Sequence, residues 1–201
     1  MHVTFPEFTG KRCLMMPYIQ GEPDSVPEEY LHGYENILEK LFLEYGKIGY
    51  LTIDESKTIP GLPHRGQRAK HGRALHTEAG IHHDVYCWGG IPFWGGEHNV
   101  SLEKDTRILV GSNTANTTAI WDDEVDITLI SDDGDIGYLA DEYPYDTASI
   151  LDKNEIKEIG IFTPHESLPV QEEIDRIFIR IVGEGVSGRE PYFTENPLIG
   201  D

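Results

Sequence analysis

The sequence predicts a mainly β fold, a sandwich or barrel, with one helix packed near the N-terminus. Short β-type runs broken by Gly, Pro, Asn and Asp fill the chain after residue 46, and one stretch before them has helical periodicity. Strand and helix patterns do not alternate, which argues against the repeated βα units of a parallel sheet. At 201 residues the chain fits one domain spanning 1–201, long enough to bury a core without disulfide or metal staples.

The helix is predicted over residues 27–45. Ser25-Val26-Pro27-Glu28 has capping-box spacing, and Pro27 and Glu28 suit a first turn. Leu31, Tyr34, Leu38, Leu41 and Tyr45 then recur every three or four residues as one apolar stripe, with Gly46 as the stop. Strands are predicted at residues 48–53, 74–78, 106–110, 117–121, 127–130, 156–163 and 176–182. Between Trp121 and Asp146 ten carboxylates accumulate without the ligand spacing of a calcium loop, so this stretch reads as a solvated loop with a turn. The run Trp88-Gly89-Gly90-Ile91-Pro92-Phe93-Trp94-Gly95-Gly96 reads as turn or core, with a substrate-facing loop as the alternative.

Sixteen basic residues against 36 acidic ones give a formal net charge of −20, which repels nucleic-acid phosphates over most of the surface. Residues 65–73 are the local exception. Arg65, Arg68, Lys70 and Arg73 gather there beside His64, His71 and His76, and the stretch reads as an exposed loop that neutralises nearby acids, with contact to an anionic substrate or a nucleic-acid strand as the open alternative. Cys13 and Cys87 are too few for a disulfide framework and are expected as reduced thiols. No run approaches the length of a membrane span, and the first residues lack a signal-peptide pattern, so the expectation is a cytoplasmic protein without a membrane partner. Serines outside any nucleophile-elbow context, and the lack of a phosphate-loop pattern, give no support to hydrolase or nucleotide-binding readings.

The chemistry-bearing residues lie in two distant segments. In Leu75-His76-Thr77-Glu78-Ala79-Gly80-Ile81-His82-His83-Asp84, an imidazole and a carboxylate two residues apart occur twice, as His76 with Glu78 and as His82 with Asp84. On a strand, residues i and i+2 share a face, so either pair could give two adjacent ligands to one metal. Fully extended, His76 and Asp84 would lie about 26 Å apart, so one mononuclear site takes one pair unless the chain turns at Gly80. His165, after a strand-like run and Pro164, is the distant third ligand. Two imidazoles and a carboxylate suit a first-row metal such as Fe(II) and leave octahedral positions open.

This arrangement resembles the Fe(II) and 2-oxoglutarate dependent oxygenase superfamily, in which a histidine, a nearby Asp or Glu and a far histidine bind iron on a double-stranded β-helix, or jelly-roll, barrel. His165-Glu166-Ser167-Leu168-Pro169-Val170 is similar to the distal-histidine segment of prolyl-hydroxylase-like members. The resemblance spans residues 74–182 and implies Fe(II) and 2-oxoglutarate as cofactors. In the family, a basic residue some ten to fifteen positions beyond the distal histidine pairs with the cosubstrate's far carboxylate. Arg176 and Arg180 follow His165 by eleven and fifteen residues, and strand alternation puts both on one face with Phe178. A guanidinium grips a carboxylate through two parallel hydrogen bonds, which suits that task. The implied iron ligands are His76, Glu78 and His165, with His82 and Asp84 as the substitute pair. Glu78 departs from the family's usual Asp. Two other readings stay open: a cupin-type metal-dependent isomerase, epimerase or dioxygenase without 2-oxoglutarate, and a non-catalytic jelly-roll binding or structural module, such as a viral protein. The substrate, small molecule or peptide, and the oligomeric state are not legible.

Overall fold

The strict alternation of Arg176-Ile177-Phe178-Ile179-Arg180-Ile181 forms the middle strand of a five-stranded antiparallel sheet. Its order is β1 (Arg12–Ile19), β2 (Ile48–Lys57), β12 (Asp175–Val182), β7 (Arg107–Ser112) and β10 (Ile156–Gly160). The computed structural model describes residues 1–63, 72–82, 85–88, 101–131, 134–187 and 193–199, with 81, 82, 85–88, 101 and 187 described by backbone alone. Strands are numbered in chain order. A second sheet runs β3 (Leu75–His76), β11 (His165–Ser167), β8 (Thr118–Ile120) and β9 (Ser149–Ile150). A third runs β13 (Val186–Ser187), β6 (Ser101–Leu102), β5 (Val85–Trp88) and β4 (Ala79–His82). Among the described residues the pairings are antiparallel, and the fold is mainly β as expected.

Both faces of β12 are covered, which explains why it is almost entirely buried. Ile177, Ile179 and Ile181 join Leu51, Ile53 and Leu109 in one hydrophobic cluster. Phe178 and Val182, on the opposite face, join Ile108, Val110, Ala119 and Ile120 in another, which fills the space between the first sheet and the second. A one-residue slip of β12 would exchange its arginines with its isoleucines, so the register is strongly specified.

The helical layer covers the isoleucine face, but not as one helix. Residues 27–45 form two single-turn helices, α1 (Glu28–Leu31) and α2 (Glu35–Leu38). The break falls at Gly33, whose φ of +89° is left-handed and whose missing Cβ would lie 2.9 Å from Pro6 Cβ. Ser25 does not cap: Pro27 occupies the N-cap, and the Ser25 hydroxyl accepts from Ile19 N and donates to Glu22 O. Of the expected stripe, Tyr34, Leu38 and Leu41 are buried, Leu31 is half-buried and Tyr45 is exposed; Ile37 takes its place in the cluster.

Other strand expectations hold with shifted ends. Residues 127–130 are an exception, forming a 3-10 turn (Ile127–Leu129) whose start is held by Asp126 Oδ1 accepting from Thr128 N. Strand β1 has no forecast in the sequence. It is an edge strand that tolerates Pro17, and a bulge between Cys13 and Met16 turns Met15 (φ 45°) towards the second cluster. Glu55 of β2 ties down the preceding chain: its Oε2 accepts from the backbone of Thr9, Gly10 and Lys11, and Oε1 accepts from Tyr34 Oη at 2.8 Å. No helix among the described residues is long and apolar enough to cross a membrane.

Candidate metal centre

Strands β11 and β3 pair antiparallel with His165 directly opposite His76. Opposed residues in such a pair share a face, so the two imidazoles emerge side by side, with ring centroids 4.1 Å apart. Glu78 follows β3 in a bend rather than on a strand, which differs from the expected extended pair. Two backbone anchors set that bend: Thr77 N donates to Gly134 O at 2.9 Å and Ala79 N donates to Ile161 O at 3.1 Å. The result still turns the carboxylate inward. One ligand atom from each of His76, Glu78 and His165 lies within 4.8 Å of the others.

The donor set fits a metal ion. His76 Nδ1 lies 2.6 Å from Ala74 O, and His165 Nδ1 lies 2.9 Å from Thr163 O. A carbonyl oxygen can only accept, so both Nδ1 atoms donate, and Nε2 is the nitrogen through which each ring would ligate. Histidine ligands in metal sites are oriented by this kind of second hydrogen bond. His165 Nε2 then faces Glu78 Oε1 at 3.4 Å. Two acceptors in that position need a cation between them, either a metal ion or a second proton on the ring.

Arg180 reaches Glu78 from the opposing sheet, donating from one Nη to Oε2 at 2.8 Å, with both side chains almost fully buried. Burial alone would raise the Glu78 pKa. The Arg180 guanidinium, His165 and His76 together outweigh it and hold the carboxyl far below its ordinary range. The carboxylate is therefore charged and its two oxygens are differently engaged, Oε2 by Arg180 and Oε1 towards the imidazoles.

Arg176 lies on the same face of β12 but at a different level. It is fully buried and directs its guanidinium towards the hydroxyls of Ser112 at 3.3 Å and Thr118 at 3.4 Å. Burial pushes its pKa down to about 10, against the favourable charge of Asp54. Thr118 pairs with Ser167, two residues beyond His165, so the Arg176 guanidinium sits about 7 Å along the sheet from the histidine level. Thr52, Asp54, Ser112, Thr118 and Ser167 are all buried around this face, giving the interior a polar floor.

Behind the histidines, Glu166 fixes the two short strands from the outer side. It accepts from Arg73 at 2.6 Å, from Ala74 N at 3.1 Å and from Tyr145 Oη at 3.1 Å. Arg73 in turn stacks between Tyr145 and Trp121, at 4.3 and 5.5 Å from the ring centroids. Arg73 is therefore a partly buried anchor, not a free member of a basic loop; Arg65, Arg68 and Lys70 lie outside the described residues. Sequence reasoning passed over Glu166, Gly134 and Thr118. Glu166 could have been found, because strand alternation next to the candidate ligand His165 places it on the supporting face.

Of the expected site residues, the structure brings His76, Glu78, His165 and Arg180 into one cluster and sets Arg176 below it. His82 ends β4, with only its backbone described, and Asp84 lies outside the described residues. No family model, curated protein or solved structure matches this chain.

Proposed function

We propose that this protein is an Fe(II) and 2-oxoglutarate dependent oxygenase on a jelly-roll scaffold, acting on a small-molecule or peptide substrate in the cytoplasm. The observation that carries the reading is the triad of His76, Glu78 and His165, whose ligand atoms lie within 4.8 Å of one another, with both Nδ1 atoms tied to backbone carbonyls. Fe(II) held there supplies the redox chemistry that couples cosubstrate decarboxylation to substrate hydroxylation.

The chain's own residues do the positioning. His76, Glu78 and His165 come from two strands and a bend locked by cross-strand pairing, so the ligands are pre-arranged rather than gathered by the metal. Arg176, with the hydroxyls of Ser112 and Thr118, forms a cationic, hydrogen-bonding end suited to the far carboxylate of 2-oxoglutarate. Its step of about 7 Å from the histidine level matches a five-carbon dicarboxylate whose other end reaches the metal. His76 is the most exposed of the three ligands, so substrate approaches from its side.

The test is decarboxylation of 2-oxoglutarate by protein reconstituted with Fe(II) under air, alongside thermal unfolding with metal and then cosubstrate added. A ligand that binds only the folded state raises its stability, so each addition should raise Tm. Failure to bind metal at excess Fe(II) in fresh reductant, both with and without 2-oxoglutarate, would sink the reading. A metal-dependent rise with no further rise on 2-oxoglutarate would remove the cosubstrate and leave a cupin-type metal enzyme.

A further inference from the structure

The Glu78–Arg180 ion pair has a consequence for how the metal site fills, and the inference rests on the metal reading above. Without metal, a buried carboxylate and a buried guanidinium neutralise each other at 2.8 Å. A divalent ion added to that pair leaves two uncompensated positive charges in a closed interior, where burying net charge is costly. Arg176 does not relieve this imbalance, and the Asp54 carboxylate that favours its charge also pairs with Arg12 at 3.2 Å. The Arg180 guanidinium also engages Glu78 Oε2, leaving Oε1 as the oxygen turned towards the histidines.

We infer that Arg180 is a positioning residue that makes metal loading conditional on a dianionic co-ligand. Its charge competes with the metal for Glu78, so metal alone binds weakly, and a dicarboxylate that offsets the two excess charges binds together with it. Thermodynamic linkage makes the effect mutual: whatever factor the dicarboxylate contributes to metal affinity, the metal contributes to dicarboxylate affinity. The same pair keeps the ligands assembled before loading, since Glu78 is never a lone buried charge.

The probes are Co(II), which is redox-silent in this setting, and 2-oxoglutarate. Calorimetric titration of the wild-type chain should give a Co(II) affinity that rises roughly 5- to 150-fold with saturating 2-oxoglutarate, the usual span of such couplings. Arg180→Gln keeps an N–H donor for Glu78 and removes the charge. It should bind Co(II) alone more tightly than wild type and lose most of the enhancement, whereas Arg180→Lys, which keeps the charge, should retain it. A merely structural Arg180 predicts the opposite sign, so weaker Co(II) binding by folded Arg180→Gln overturns the proposal. Should that variant fail to fold, wild-type Co(II) affinity that is unchanged by bound 2-oxoglutarate overturns it as well. No Co(II) binding under any condition would instead remove the metal site itself, a separate failure.

Discussion

Replacing Gly134 by alanine should perturb the candidate metal site from outside its motif. Gly134 has φ +75°, and a Cβ built there lies 2.6 Å from Thr77 O and 3.2 Å from Ala79 O, the carbonyls on either side of Glu78. The left-handed backbone costs a non-glycine residue roughly 1–2 kcal/mol. The steric conflict is with backbone rather than a flexible side-chain tip, so relief requires the bend at Glu78 to move, at about 1–3 kcal/mol. The sum, about 2–5 kcal/mol, corresponds to a fall in Tm of roughly 5–15 °C for a domain of this size. Gly61→Ala is the matched control, because Gly61 has φ +79° with nothing within 4 Å of the added Cβ. It should show the backbone cost alone. Thermal unfolding with and without Co(II) reads both effects: Gly134→Ala should lose stability beyond the control and lose much of its Co(II)-dependent shift. A Tm and a metal shift both equal to those of Gly61→Ala would refute the claim that Gly134 holds the Glu78 bend.

Two further expectations concern the other layer. Burial works against the Glu55 carboxylate, but hydrogen bonds from Thr9, Tyr34 and Lys11 hold its pKa below the ordinary value. A depressed folded pKa contributes stability above the unfolded pKa, about 4.3, and that contribution is lost as pH falls through the lower folded value. Glu55→Gln should therefore cost about 2–3 kcal/mol at neutral pH, with the gap to wild type narrowing below about pH 4; urea midpoints across pH measure it, and a pH-independent gap would contradict it. Burial pushes the Cys13 thiol up to about 12. Peptide mapping after iodoacetamide treatment should find Cys13 unmodified in the folded protein and alkylated in urea, and rapid native alkylation would contradict its burial.

Alternation made β12 and its two faces legible, because a strand buried on both sides still separates its arginines from its isoleucines by period. The i, i+2 spacing of His76 and Glu78 was legible in the sequence, yet their meeting with His165 depends on the β3–β11 register, a long-range pairing that no local pattern encodes. The helix over residues 27–45 failed for a related reason. Its apolar spacing is real, but Gly33 turns left-handed where the chain must pass closely over Pro6, and that contact lies outside the periodicity. Strand β1 was missed because its methionines and Pro17 carry little β signal, and its place is set by pairing with β2. The Arg180–Glu78 pair was hidden in the same way, since two opposed sheets must form before the side chains meet.

The register that places His165 opposite His76 also sets when the site can come into being. Eighty-nine residues (165 − 76) separate the two histidines, and closing that loop carries an entropic cost that local folding does not repay. A nascent chain that has emerged only as far as β8 offers two members of the triad, His76 and Glu78. The third donor leaves the ribosome later, and Arg180 later still. The three donors therefore meet only after β11 has emerged, and a translation product truncated before β11 lacks His165.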